Sequence, residues 1–105
     1  MLNKRENIVP EVIRALEEGR LRYSFHAQEQ MTKRDILVSD IEEALYRSQR
    51  EENKDSLTND KKAWKYSLRG ANDNGDKDLR IIILFDEPNV LVVTAIDKSK
   101  KEDRS

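Results

Sequence analysis

The hydrophobic positions of this chain crowd toward its C-terminal third. Two apolar runs, Leu79 to Phe85 and Val90 to Ile96, flank the polar break Asp86-Glu87-Pro88-Asn89. Both are rich in Ile and Val, suit a pleated surface and are too short to cross a membrane. Pro and Asn supply turn chemistry, Asn by tolerating the left-handed conformation, so the pattern predicts an antiparallel hairpin. Alternation sends Leu79, Ile81, Ile83 and Phe85 to one face and Arg80, Ile82, Leu84 and Asp86 to the other. In the second run it sets Val90, Val92, Thr94 and Ile96 opposite Leu91, Val93 and Ala95. A sheet apolar on both faces needs two covers, one of which a second molecule can supply.

Upstream, Trp64, Tyr66 and Leu68 alternate with Lys65, Ser67 and Arg69 up to Gly70, which predicts a third strand with one wet face. The loop from Ala71 to Asp78 offers Gly75 for a positive φ. Nearer the N-terminus the period lengthens. Val9, Val12, Ile13 and Leu16 predict a helix from about Pro10 to Glu18, with Pro10 in its first turn and Gly19 just past its end. Ser24 is placed to cap a second helix that carries Ala27 and Met31 and ends near Lys33, with Tyr23 or Phe25 packing at its start. Ser39 and Glu42 read as a capping box for a third, Asp40 to about Arg50, backed by Ile41, Ala44 and Leu45. Between these two, Ile36-Leu37-Val38 reads as an apolar joint packed into the core. Residues 51–62 have almost nothing to bury and read as a solvated loop. The expected fold is therefore α+β, with N-terminal helices packed on a three-stranded antiparallel β-meander. A chain of 105 residues fits one domain, placed at 8–97 with flexible tails at 1–7 and 98–105.

Composition narrows the function classes. Twenty Lys and Arg face twenty-one Asp and Glu, a net charge of −1, so electrostatic steering of nucleic acid would need local clustering. With no cysteine there is no disulfide framework and no thiolate metal site. The N-terminus lacks the apolar stretch of a signal peptide, and the expected compartment is the cytoplasm, without membrane attachment.

His26 is the single histidine, so one chain cannot build a zinc triad or a His-paired nucleophile, and no metal or other cofactor is expected. The run Asp73-Asn74-Gly75-Asp76 lacks the alternating spacing and closing glutamate of a calcium loop. The three glycines are too scattered to cradle a phosphate. What remains is His26, Arg34, Lys65, Tyr66, Arg69 and Arg80. These types suit metal-free RNA cleavage, in which a base takes the 2′-hydroxyl proton, cations stabilise the crowded phosphate and an acid protonates the leaving oxygen. Lys61, Lys62, Lys65 and Arg69 form the densest cationic stretch, with Lys65 and Arg69 on the wet face of their strand. Glu42, Glu43, Glu51 and Glu52 are near enough in sequence to neutralise it.

Tyr23-Ser24-Phe25-His26-Ala27 with Met31 and Arg34, followed by Val38-Ser39-Asp40-Ile41-Glu42-Glu43-Ala44-Leu45 and by Val92-Val93-Thr94-Ala95-Ile96, resembles the bacterial domain of unknown function 4258 over roughly residues 20 to 97. The resemblance implies kinship with RelE-type toxins, small RelE-like or microbial ribonuclease-like α+β proteins of prokaryotic toxin–antitoxin pairs. Its motif lands on Ser24, His26, Ala27, Met31 and Arg34. Such toxins are usually basic, and this chain is not.

Two classes of function follow. The first is a metal-independent endoribonuclease toxin, with His26, Arg34, Tyr66 and Arg80 at the reaction and Lys65 and Arg69 on the RNA, paired with an antitoxin protein. The second is a non-catalytic protein-binding module or homodimer that uses the surplus apolar face of the sheet.

Overall fold

The computed structural model describes residues 3–99. Three helices, α1 (Ile8–Glu17), α2 (Phe25–Lys33) and α3 (Val38–Tyr46), bury their apolar stripes against one sheet. Ile8, Val12 and Ala15 recur on one side of α1, and Ile41, Ala44 and Leu45 on one side of α3; all six are buried. They meet Leu68 on β4 (Trp64–Ala71), Leu79, Ile81 and Ile83 on β5 (Asp78–Asp86), and Val90, Val92 and Ala95 on β6 (Asn89–Asp97).

The class is α+β, but the expected three-stranded antiparallel meander is corrected to a six-stranded mixed sheet. β4, β5 and β6 do pair antiparallel in chain order. Three short strands extend them: β1 (Leu21–Tyr23), parallel to β6; β2 (Gln49–Arg50) and β3 (Ser56–Leu57), both antiparallel to β4. The path runs β1-β6-β5-β4-β2, with β3 also on β4. Segments of two or three residues are too short to show alternation, and their pairing is decided by the long strands beside them. Thus the stretch 51–62 is not only a loop: it holds β3 and a 3₁₀ turn at Glu52–Lys54.

Other local expectations shift for definable reasons. The third helix begins at Val38, two residues before Asp40, and ends at Tyr46; Asp40, not Ser39, satisfies the free backbone at its start: its Oδ2 accepts from the Leu37 N–H at 2.9 Å. Of the greasy joint only Ile36 is buried, while Leu37 is 62% and Val38 48% exposed. Asn89 pairs with Asp86 in the hairpin instead of taking a left-handed φ, which falls at Asn7, Asp35 and Lys61 among non-glycine residues described. Gly75 does take a positive φ, of 76°.

A register shift between Ile82 and Ile83 breaks the alternation expected of the last strand. Val90 and Val92 face the core, but beyond the bulge the parity flips, so that Ala95 and Asp97 point inward while Thr94 and Ile96 point out. On the outer face Ile82, Leu84, Leu91, Val93 and Ile96 stay partly exposed. At the other end of the domain, Arg5 donates its backbone N–H to the Tyr66 hydroxyl at 2.8 Å and sets its guanidinium 4.2 Å from the Phe85 ring centroid. The tail expected at 98–105 lies, beyond Ser99, outside the described residues, as do Met1 and Leu2. Among the described residues no helix is long and apolar enough to cross a membrane.

Candidate functional site

β1 runs directly into α2 through Ser24. Its N–H donates to the Val92 carbonyl at 2.9 Å as the last rung beside β6, and its Oγ accepts from the Ala27 N–H at 3.0 Å as the helix cap. Ala27 and Met31, four residues apart, then turn into the core. At 3.6 residues per turn this fixes the neighbouring stripe: His26, Gln30 and Arg34 succeed one another along the side of the helix next to β6.

β1 stops at Tyr23, so β6 has an open edge beyond it. α2 closes that edge with side chains. Gln30 Oε1 accepts from the Ala95 N–H at 2.9 Å, and Arg34 Nη1 donates to the Ala95 carbonyl at 3.3 Å. His26, at the other end of the stripe, is exposed and makes no hydrogen bond or ion pair among the described residues. Of the two rings expected at the helix start, Tyr23 is the one packed against the core, and Phe25, beside His26, is 76% exposed. An open groove of about 660 Å³ runs along the helix and is lined by Phe25, His26, Gln28, Gln30, Lys33 and Arg34, among others.

The strand residues form a different arrangement. Lys65, Ser67 and Arg69 occupy the outer face, and Arg69 lies directly across from Arg80. Two like charges so placed repel. Glu51, carried over the sheet by the segment after β2, resolves this. It receives Arg80 through Nε at 2.8 Å and Nη2 at 3.1 Å, Arg69 Nη1 at 3.3 Å and the Ser67 hydroxyl at 2.7 Å. The bonds from Arg80 lead in holding its carboxyl down at about 2. Arg69 also grips Asp78 with two bonds of 2.8 Å, which lowers the pKa of that carboxyl in turn. Of the four glutamates near enough in sequence to neutralise these cations, Glu51 is the one that meets the arginines.

Tyr66 sits on the inner face, 3% exposed, with Phe85 edge-on at 5.7 Å and the Arg50 guanidinium 5.1 Å from its ring centroid. The sheet itself separates it from Lys65, Arg69 and Arg80. The six candidate residues therefore fall into three groups: His26 with Arg34 along α2, Arg69 with Arg80 around Glu51 and Lys65 further along that face, and Tyr66 in the core. Gln30 and Phe25 were not candidates from sequence. The signal for Gln30 was its place four residues after His26; none marked Phe25, since an aromatic beside a cap ordinarily packs inward.

What the α2 stripe offers is an imidazole open to solvent, with cationic and amide side chains further along the same groove. Among the described residues no three His, Asp or Glu side chains gather as a metal site. The profile of a family described as "Domain of unknown function (DUF4258)" matches residues 23–97. No curated protein and no solved structure matches the chain.

Proposed function

From the premise that the chain belongs to the DUF4258 family, we propose that it cleaves RNA without a metal, as the toxin of a prokaryotic toxin–antitoxin pair, with His26 as the proton-transfer group. The observation that carries this is a division of labour within Ser24, His26, Ala27, Met31 and Arg34. Ser24 caps the helix, Ala27 and Met31 fill the core and Arg34 ties α2 to Ala95, whereas His26 is exposed and makes no hydrogen bond or ion pair among the described residues. The toxin assignment draws on the kinship with RelE-type toxins that the resemblance to this family implies.

Imidazole can take up and return a proton near neutral pH. His26 removes the proton of a 2′-hydroxyl; the 2′-oxygen attacks the adjacent phosphorus, the bond to the 5′-oxygen breaks, and that oxygen leaves with a proton from water. The products are a 2′,3′-cyclic phosphate and a 5′-hydroxyl end. Arg34 stands eight residues on, about 12 Å along the axis, and so holds the backbone of the same strand. Arg80 and Arg69, held by Glu51 on the outer face of the sheet, and Tyr66, buried in the core, do not line the groove along α2 and take no part in this scheme.

Induction in a bacterial host tests the reading. The intact chain should arrest growth, and His26→Ala and Arg34→Ala should relieve the arrest while still accumulating as folded protein. No arrest, or arrest that both variants preserve, contradicts it. A second reading, a protein-binding or homodimeric module, draws on the partly exposed Ile82, Leu84, Leu91 and Val93 of the outer face. Light scattering coupled to size exclusion decides that one, since a strict monomer without a co-purifying partner counts against it.

A further inference from the structure

We propose that Phe25 is a stacking platform for an unpaired base next to His26, which makes single-stranded RNA the substrate; the inference rests on the cleavage reading above and names its substrate class. Phe25 is the most exposed of the large hydrophobic residues described, at 76%. Burying an aromatic ring is strongly favourable, and here the helix start offers no pocket for it: Tyr23 takes the inward place, and the cap is completed by Ser24. The ring projects into the groove that His26 lines one residue later.

The rest of that groove fits a nucleic-acid strand better than an apolar protein surface. Gln28 Oε1, Gln30 Nε2 and the Thr32 hydroxyl offer acceptors and donors beyond the bonds that Gln28 makes to Tyr23 and Gln30 to Ala95, and Lys33 adds an exposed cation beside Glu29. Phe25 is its one large apolar group. An isolated aromatic among amides and cations is the composition that binds unpaired bases, because every base has a face to stack and a phosphate to pair. A duplex keeps its bases stacked on one another and cannot use the ring.

The test uses the full chain carrying His26→Ala, which binds without cleaving, and a labelled RNA oligonucleotide either single-stranded or annealed to its complement, followed by fluorescence anisotropy. The single strand should bind more tightly than the duplex. Adding Phe25→Ala should weaken single-strand binding roughly ten-fold, and Phe25→Tyr should restore it, with duplex binding unmoved. In the cleaving protein Phe25→Ala should raise KM more than it lowers kcat. Circular dichroism melts should be unchanged, the ring being outside the core. If Phe25→Ala binds the single strand as its parent does, the platform is overturned and the ring belongs to a protein contact, while His26-dependent cleavage can stand. If binding depends on Phe25 yet the intact chain does not cut, the platform stands and the cleavage reading falls. Absence of any RNA binding overturns both.

Discussion

Gly70 shows how one position can carry a packing constraint that its neighbours in sequence do not advertise. A Cβ built there would lie 2.3 Å from the Ala44 carbonyl oxygen and 3.1 Å from the Ser48 Cα, so α3 rests directly on the backbone of β4. The obstacle is main chain and cannot swing aside. Gly70→Ala is expected to cost roughly 1–3 kcal/mol in chemical denaturation, as overpacked sites do. In the sequence Gly70 reads only as the end of an alternating run, since the close approach comes from a helix more than twenty residues earlier. His26 is the opposite case. Its identity as the single histidine was plain from the chain, but its exposure was not; His26→Ala is expected to shift stability by less than about 0.5 kcal/mol. A large loss of stability in that variant would mean the imidazole is structural after all.

At the scale of elements, α2 is both a cover and an edge seal. Its cap was legible because Ser24 stands just before an apolar pair at helical spacing, and Ser24→Ala should cost about 1 kcal/mol. Its second role was hidden, because the β1–β6 pairing that leaves Ala95 uncovered depends on a strand three residues long. Gln30→Ala removes the acceptor for the Ala95 N–H and is expected to cost about 1 kcal/mol and to speed hydrogen exchange at that amide above its β6 neighbours. Equal exchange in both proteins would show that the edge is closed by something else. The long strands β4 to β6 were readable from their apolar runs. What alternation could not foresee was the bulge at Val93, after which the inward set changes from Val92 to Ala95 and Asp97.

Across the whole molecule, an ion cluster pins the segment after β2 to β4 and β5 on the face away from the helices, and it makes stability depend on acid. The folded state holds the Glu51 carboxyl at about 2, below its ordinary 4.5, chiefly through the Arg80 bonds. A group lowered in this way stabilises the fold above its unfolded pKa and loses that contribution as pH falls toward the folded one. The stability should therefore decline from about pH 4.5 to 2, by on the order of 3 kcal/mol from this residue, and Glu51→Gln should flatten that limb. Tyr23 acts at the other end. Burial, with Glu42 nearby, pushes its hydroxyl up to about 12, so its contribution is complete below pH 10 and fades between there and 12. Denaturation followed across both ranges checks the two signs together. That Glu51 would reach the arginines was open in the sequence, where it stands among several acids with equal claim.

On the proposed reading, the exposed imidazole of His26 on the open side of α2 performs the chemistry. The most direct measurement incubates the purified chain with a single-stranded RNA in excess EDTA and identifies the ends of the fragments. The intact protein should leave 2′,3′-cyclic phosphate and 5′-hydroxyl ends, and His26→Ala, melting at the same temperature, should leave the RNA whole. Uncut RNA with the intact protein, or equal cutting by the variant, would contradict the account.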